Sequence, residues 1–419
     1  MRDGTDRRQS SRERRVGRRA FLRAAAGGAF LVGAARCGGD DDDAAGDGTP
    51  VPEPTDALGL TPTPTQGVIG TPVAGYADPE KWLGRTLTVA VWGGDYQQAQ
   101  EEAFIEPFEG DTGATIQLKT ADTGRMKGQV DSGEVTWDLL TVPTEEVLTL
   151  SRENYLEPID YHVVDDTALF EDITLQHGVG TAYFSTVLIY SAGTTRAPSD
   201  WTNFWDVPPL VEGEDIPLEG TRSLWRGPAG NLEFALLADG VALESLYPLD
   251  VERAFSSLDR IRNHVLFWYE DRKQPVELVA NAQVGMASAW NARLTQLQLI
   301  EEVRINWYGG MLSADCWIIP RGAPNPDVAM DFINYATRAV PMANFARLVP
   351  YGPVNKEAFN YLRPDRLPVL PSAPQNRAVQ FIQDRNWWAD NMEALRERFD
   401  EWLLDESELE GTLATRTDG

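Results

Sequence analysis

The sequence is poor in the residue types that covalent and metal chemistry depend on. Its 419 residues contain only two cysteines, Cys37 and Cys316, and three histidines, His162, His177 and His264. Neither cysteine belongs to a C-x-x-C pair, which excludes thiolate metal sites and thioredoxin-like redox chemistry. The histidines are far apart, and no H-E-x-x-H, G-x-S-x-G or G-x-x-x-x-G-K-[ST] motif occurs. No catalytic set, metal or cofactor is therefore expected, and an exported hydrolase is only a minor alternative. Positive charge is also scarce: 37 Lys and Arg stand against 64 Asp and Glu, a net charge of −27. Ten arginines and three acids fall within the first 36 residues, so the remainder carries −34. Such a body repels phosphate, which argues against nucleic acid as a partner and is compatible with a cationic solute. No internal repeat of solenoid period is present.

What the chain does have begins with an address. Arg18-Arg19-Ala20-Phe21-Leu22-Arg23 matches the twin-arginine export pattern, and the apolar run Ala24–Ala35 is 12 residues long, too short to span a bilayer. Export by that route implies folding before translocation. The destination is the periplasm or the outer face of the cytoplasmic membrane. Cys37, followed by Gly-Gly and four Asp, is similar to a lipoprotein junction, although Arg36 stands where such junctions carry a small residue. A lipid on Cys37 would anchor the protein to the membrane. It would also leave Cys316 without a disulfide partner. Residues 38–75, rich in Asp, Gly, Thr and Pro, read as a disordered tether reaching on the order of 120 Å if extended.

The body follows an α/β pattern. Leu87–Val91 reads as a strand entering a turn at Trp92-Gly93-Gly94-Asp95-Tyr96; a helix carrying Ala99, Ala103, Phe104 and Phe108 follows, then a strand at Thr115–Lys119. Asp78-Pro79 reads as the start of a short lead-in helix. Ligands bind outside the carboxyl ends of strands in open parallel sheets, so Trp92 and Tyr96 are placed near a cleft. Trp137–Val142 is a buried strand, and a helix capped at Pro143-Thr144 puts Glu145 and Glu146 in its first turn. Val179–Tyr190 is long enough to cross between two lobes. Asp250–Val265 reads as a helix, Gly285–Trp290 as a strand delivering Trp290, and Asn376–Leu404 as an amphipathic helix before a tail. The most informative stretch is Ile305–Asn355: an apolar run, a Gly309-Gly310 break, an apolar return strand holding Asp315, a helix from Asn325-Pro326, and the loop Pro350-Tyr351-Gly352-Pro353.

That segment order resembles the polyamine-binding family of periplasmic solute-binding proteins, the spermidine/putrescine receptors of ABC importers, over roughly Leu87–Leu404. The resemblance implies a two-lobed periplasmic-binding-protein fold, type II-like, with an interlobe cleft and at least two crossovers. The expected division is a signal and junction at 1–37, the tether at 38–75, lobe 1 at 76–190 plus 312–360, lobe 2 at 191–311 plus 361–405, and a tail at 406–419. It implies a small-molecule solute, most simply a cationic polyamine, captured by a monomer and handed to a membrane permease. Ligand-binding residues carried over are Trp92, Tyr96, Glu146, Trp290, Asp315 and Tyr351. Rings contact methylenes and attract ammonium groups, while carboxylates pair them. The chain departs from the family at Gly227–Gly230, which lacks a carboxylate; Glu145, Glu146 or Asp95 would have to supply it. Another solute, such as an amino acid derivative, organic anion, phosphonate or metal, is the alternative. An anionic ligand would need arginines in the cleft, with Arg125, Arg222 and Arg226 as candidates.

Overall fold

The computed structural model describes residues 73–414, apart from 297, 298 and 300. The twin-arginine segment, Cys37 and most of the tether lie outside the described residues. A mixed ten-stranded sheet runs through the body. Strands β1 (Thr86–Val91), β2 (Thr115–Thr120) and β3 (Leu139–Pro143) pair in parallel. The two-residue β4 (Thr174–Leu175) forms a hairpin with the 14-residue β5 (Gly178–Ser191). Then come β6 (Arg222–Trp225), β7 (Val265–Tyr269), β8 (Met286–Trp290), the 16-residue β9 (Val303–Ile318) and β10 (Phe381–Ile382). The spatial order is β2-β1-β3-β9-β5-β8-β6-β7, with β10 beside β9.

The two long strands explain the architecture. Near its carboxyl end β9 pairs with β3, and β5 pairs with β8 at the opposite end of the sheet; β5 and β9 are antiparallel to one another along most of their length. Each therefore belongs to two separately packed regions. One core gathers Leu87, Phe104, Phe108, Trp317, Phe332 and Phe345. Another gathers Trp201, Phe204, Phe234, Leu258, Trp388 and Phe399, with the Trp201 and Phe234 rings stacked at 3.8 Å. Burying such large rings dominates the stabilisation of each core. Fully buried Glu233 ties the second core together: its carboxylate accepts from Gly230 N at 2.8 Å, Tyr247 Oη at 2.6 Å and Trp388 Nε1 at 2.7 Å.

Four readings change. Gly309-Gly310 does not separate two strands, because β9 continues through it. The ladder with β5 instead jumps from Thr186↔Met311 to Leu188↔Asn306, so Trp307–Gly310 bulges out. Gly309 adopts φ +68, and a Cβ there would lie 2.8 Å from the Trp201 ring, so glycine is required on both counts. The helix placed at Asp250–Val265 spans only Val251–Asp259, and Val265 opens β7. The β-branched and aromatic run Val265–Tyr269 prevails there over the 3.6-residue spacing that continued through Ile261 and Val265. Residues 79–84 form turns rather than a lead-in helix, held because Asp331 accepts from Tyr76 Oη at 3.0 Å and Trp82 Nε1 at 2.6 Å. The C-terminal segment divides into Pro374–Arg377, β10 and a helix from Arg385 that runs to Ala414, into the stretch read as a tail.

Candidate functional site

A cavity of about 630 Å³ opens where several strands end. β1 delivers Trp92, and the turn after it is possible because Gly94 takes φ +69. Pro143 ends β3, and the helix Thr144–Arg152 begins immediately, presenting Glu145. The register of β9 sets Asp315 opposite Pro143 on one side and Ala182 on the other. β8 ends at Trp290, whose ring lies 5.0 Å from that of Phe184 on β5. Asn291 joins this strand end to the late loop: its Nδ2 donates to Pro350 O at 2.8 Å, and its Oδ1 accepts from Ser185 N at 2.9 Å. That bond fixes Tyr351 in the wall.

Five of the six sequence-derived candidates, Trp92, Tyr96, Trp290, Asp315 and Tyr351, line this one cavity. Tyr96 contributes mostly from behind. It is 4% exposed, shares a hydrogen bond of 3.0 Å with Thr181 Oγ1, and meets the Tyr351 ring edge-on at 4.8 Å. Glu146 is the exception. Its Oε2 accepts from Thr123 Oγ1 at 2.8 Å, and it does not line the cavity; the preceding residue, Glu145, takes that position.

The sequence reading missed the cations. Arg272, Lys273 and Arg293 line the same cavity as Asp95, Glu145 and Asp315. The Arg272 guanidinium carbon lies 3.3 Å from the centre of the Trp225 ring and 4.3 Å from that of Trp290, so two indoles clamp it. Arg293 lies over Trp290 at 5.7 Å. The three arginines named from the sequence sit elsewhere. Arg222 is fully buried and donates from Nε to Phe204 O at 2.7 Å; Arg125 covers Trp137; Arg226 lies 3.5 Å from both Glu270 and Asp400. A signal for Arg272 existed. Once Val265–Tyr269 is a strand, the rule about carboxyl ends puts the segment that follows it at the cleft.

Groups of both charges line the cavity. Asp315 is 8% exposed, and burial holds its carboxyl well above the ordinary range, reinforced by the nearby negative charge of Glu145. Trp92 opposes that shift by hydrogen bonding to the carboxylate. Glu145 is also raised by burial, with Arg272 and Arg385 acting in the opposite direction. Burial lowers the Arg272 guanidinium. Tyr351 is pushed up to about 12 by burial and then by Asp315. The cavity thus holds two carboxylates raised by burial together with a guanidinium fixed between rings.

Comparisons with known proteins agree with this architecture. The family model for bacterial extracellular solute-binding proteins matches residues 103–375. A gamma-aminobutyric acid-binding protein of Pseudomonas aeruginosa is 34% identical over 329 residues, covering 76% of this chain and 91% of that protein. An ABC transporter substrate-binding protein from Bradyrhizobium japonicum superposes with a TM-score of 0.70 at 33% identity, over 76% of this chain and all of the other. The Atu4243-GABA receptor superposes with a TM-score of 0.67 at 32% identity, over 76% and 98%. These relatives are two-lobed solute receptors, not enzymes, and they do not carry the polyamine assignment that the resemblance implied. The chain therefore belongs to the bacterial extracellular solute-binding proteins, the substrate-binding receptors of ABC importers.

Proposed function

We propose that the cleft captures a small zwitterion whose ammonium and carboxylate are separated by a short methylene chain, a γ-amino acid such as gamma-aminobutyrate. The observation that carries this is that Asp315, Glu145, the clamped Arg272 and Arg293 all line one cavity. An ammonium group offsets the crowded carboxylates, and a carboxylate meets the guanidinium, so each buried charge gains a partner that it needs. Trp92, Trp290 and Tyr351 cover the methylenes. A polyamine pairs with the carboxylates but adds positive charge to a cavity that already holds Arg272 and Arg293. The names of the similar proteins support the same reading.

Closure of two lobes around this ligand is a population shift toward a state in which both lobes touch it. The lobes are taken as 76–190 plus 312–360 and 191–311 plus 361–405. The route to the site includes twin-arginine export and a lipid on Cys37; mass spectrometry of the mature N-terminus distinguishes an acylated Cys37 from an unmodified one. The ligand assignment is tested with three four-carbon compounds that differ only at their ends: 1,4-diaminobutane, 4-aminobutanoate and butanedioate. At 100 times its dissociation constant a ligand adds about 2.7 kcal/mol to stability. Only 4-aminobutanoate is expected to shift the melting temperature strongly. A larger shift with the diamine refutes the assignment.

A further inference from the structure

A second cavity of about 90 Å³ adjoins the first and shares Glu145, Phe184, Arg272 and Trp290 as walls. Apart from shared Glu145 and Arg272, every residue lining it is neutral. Trp225, Phe234, Met311 and Met392 supply apolar surface, and Asn231 and Ser288 supply polar atoms.

Asn231 is 1% exposed. Its Nδ2 donates to Trp225 O at 2.6 Å and to Gly227 O at 2.8 Å. Carbonyl oxygens only accept, so this amide cannot be flipped. Its Oδ1 is left buried with no hydrogen-bond partner among the described residues, which is costly for a polar atom. Ser288, also fully buried, has its hydroxyl 3.2 Å from that of Tyr269. Either hydroxyl can be the donor of that pair, so Ser288 Oγ can give a hydrogen to a group in the chamber or accept one from it. The chamber thus offers one fixed acceptor and one hydroxyl in largely apolar surroundings.

We infer that this chamber is a subsite for a neutral carboxamide carried as a branch on the amino-acid ligand, with its N–H₂ toward Asn231 Oδ1 and its carbonyl toward Ser288. The inference rests on the zwitterion reading of the main cavity. A carboxylate branch has no hydrogen to give Asn231 Oδ1, and an ammonium branch loses its water among indole and thioether groups. Glu145 and Arg272, both on the shared wall, offset one another and favour neither charge.

Calorimetry tests this with 4-aminobutanoate and three derivatives substituted on the carbon next to the carboxylate with carboxamidomethyl, carboxymethyl or isobutyl groups. The carboxamide is expected to bind at least about tenfold more tightly than 4-aminobutanoate, the gain from two ordinary hydrogen bonds, while the other two gain nothing comparable. Ser288→Ala and Met392→Trp, which remove the hydroxyl and fill the chamber, should retain 4-aminobutanoate binding and lose the carboxamide's advantage. If 4-aminobutanoate binds and the carboxamide binds no better than the isobutyl compound, the subsite is refuted and the zwitterion reading stands. If neither binds, both fall.

Discussion

Replacing Asp315 by Asn separates what this carboxylate does for the ligand from what it costs the unliganded protein. Asp315 is 8% exposed, and its acidic neighbours Glu145 and Glu146 add to the burial that holds its pKa up. An acid raised in this way binds its proton more tightly folded than unfolded. Its contribution to stability is complete below the unfolded value of about 3.9 and is lost as pH rises through the folded value. At neutral pH the wild-type residue is therefore a liability. Asp315→Asn is expected to stabilise the unliganded protein by on the order of 1–3 kcal/mol, the usual cost of an uncompensated buried polar group. That corresponds to a melting temperature higher by a few degrees, at about 2 °C per kcal/mol for a chain of this size. The dependence of stability on pH above the ordinary carboxylate range should flatten as well. Losing one member of a buried charge pair costs about 2–5 kcal/mol, so 4-aminobutanoate affinity should fall at least thirtyfold. Differential scanning fluorimetry across pH, with and without ligand, reads both effects. A variant that melts below wild type at neutral pH, or binds within threefold of it, refutes the argument.

Arg272→Met should abolish binding of 4-aminobutanoate in calorimetry while leaving any response to 1,4-diaminobutane intact or stronger, because only the carboxylate partner is gone. Glu233→Gln places an amide N–H₂ against three donors, from Gly230, Tyr247 and Trp388, and should lower stability by about 1–3 kcal/mol in urea titration. Gly309→Ala combines a positive φ with a Cβ 2.8 Å from Trp201 and should cost about 2 kcal/mol or more by the same measurement. Cys316 is buried, and burial pushes its thiol up to about 12, so iodoacetamide at mildly alkaline pH should label it only after denaturation, as read by mass spectrometry.

Much of this molecule was legible from residue order, for reasons that particular segments make plain. The run of β5 needs no tertiary information, since 12 of its 14 residues are buried and the sequence shows them as an uncharged stretch of apolar, small and β-branched residues. Trp92, Trp290, Asp315 and Tyr351 come to line one cavity because strand ends and a rigid proline loop fix position from local sequence. Glu146 lies one residue from the position that lines the cavity. Both glutamates sit in one helical turn, and which of them faces the cavity depends on where Thr144 anchors that turn: its hydroxyl donates to Ala314 O and lies 3.3 Å from Cys316 Sγ, contacts far away in sequence. Arg272 was invisible for a different reason. Its segment followed a helix read too long, so the strand that carries it to the cleft was never drawn. Its clamp needs Trp225 and Trp290, which lie on separate strands. Charge composition gives no help here, because a strongly negative total says little about a handful of cations gathered at one spot.

The bulge at Trp307–Gly310 carries a mechanical implication. A ladder bends most easily where rungs are missing, and β5 and β9 lack theirs opposite Val187. Gly309 is not slack there: its N–H donates to Val379 O at 2.8 Å and its carbonyl accepts from Trp201 Nε1 at 2.8 Å. The compliant point of the paired strands is thus tethered on both edges, to the segment leading into β10 and to the core around Trp201. Flexing at this joint must carry those two neighbours with it, which makes it a guided pivot whose swing is set by backbone bonds rather than by loose chain.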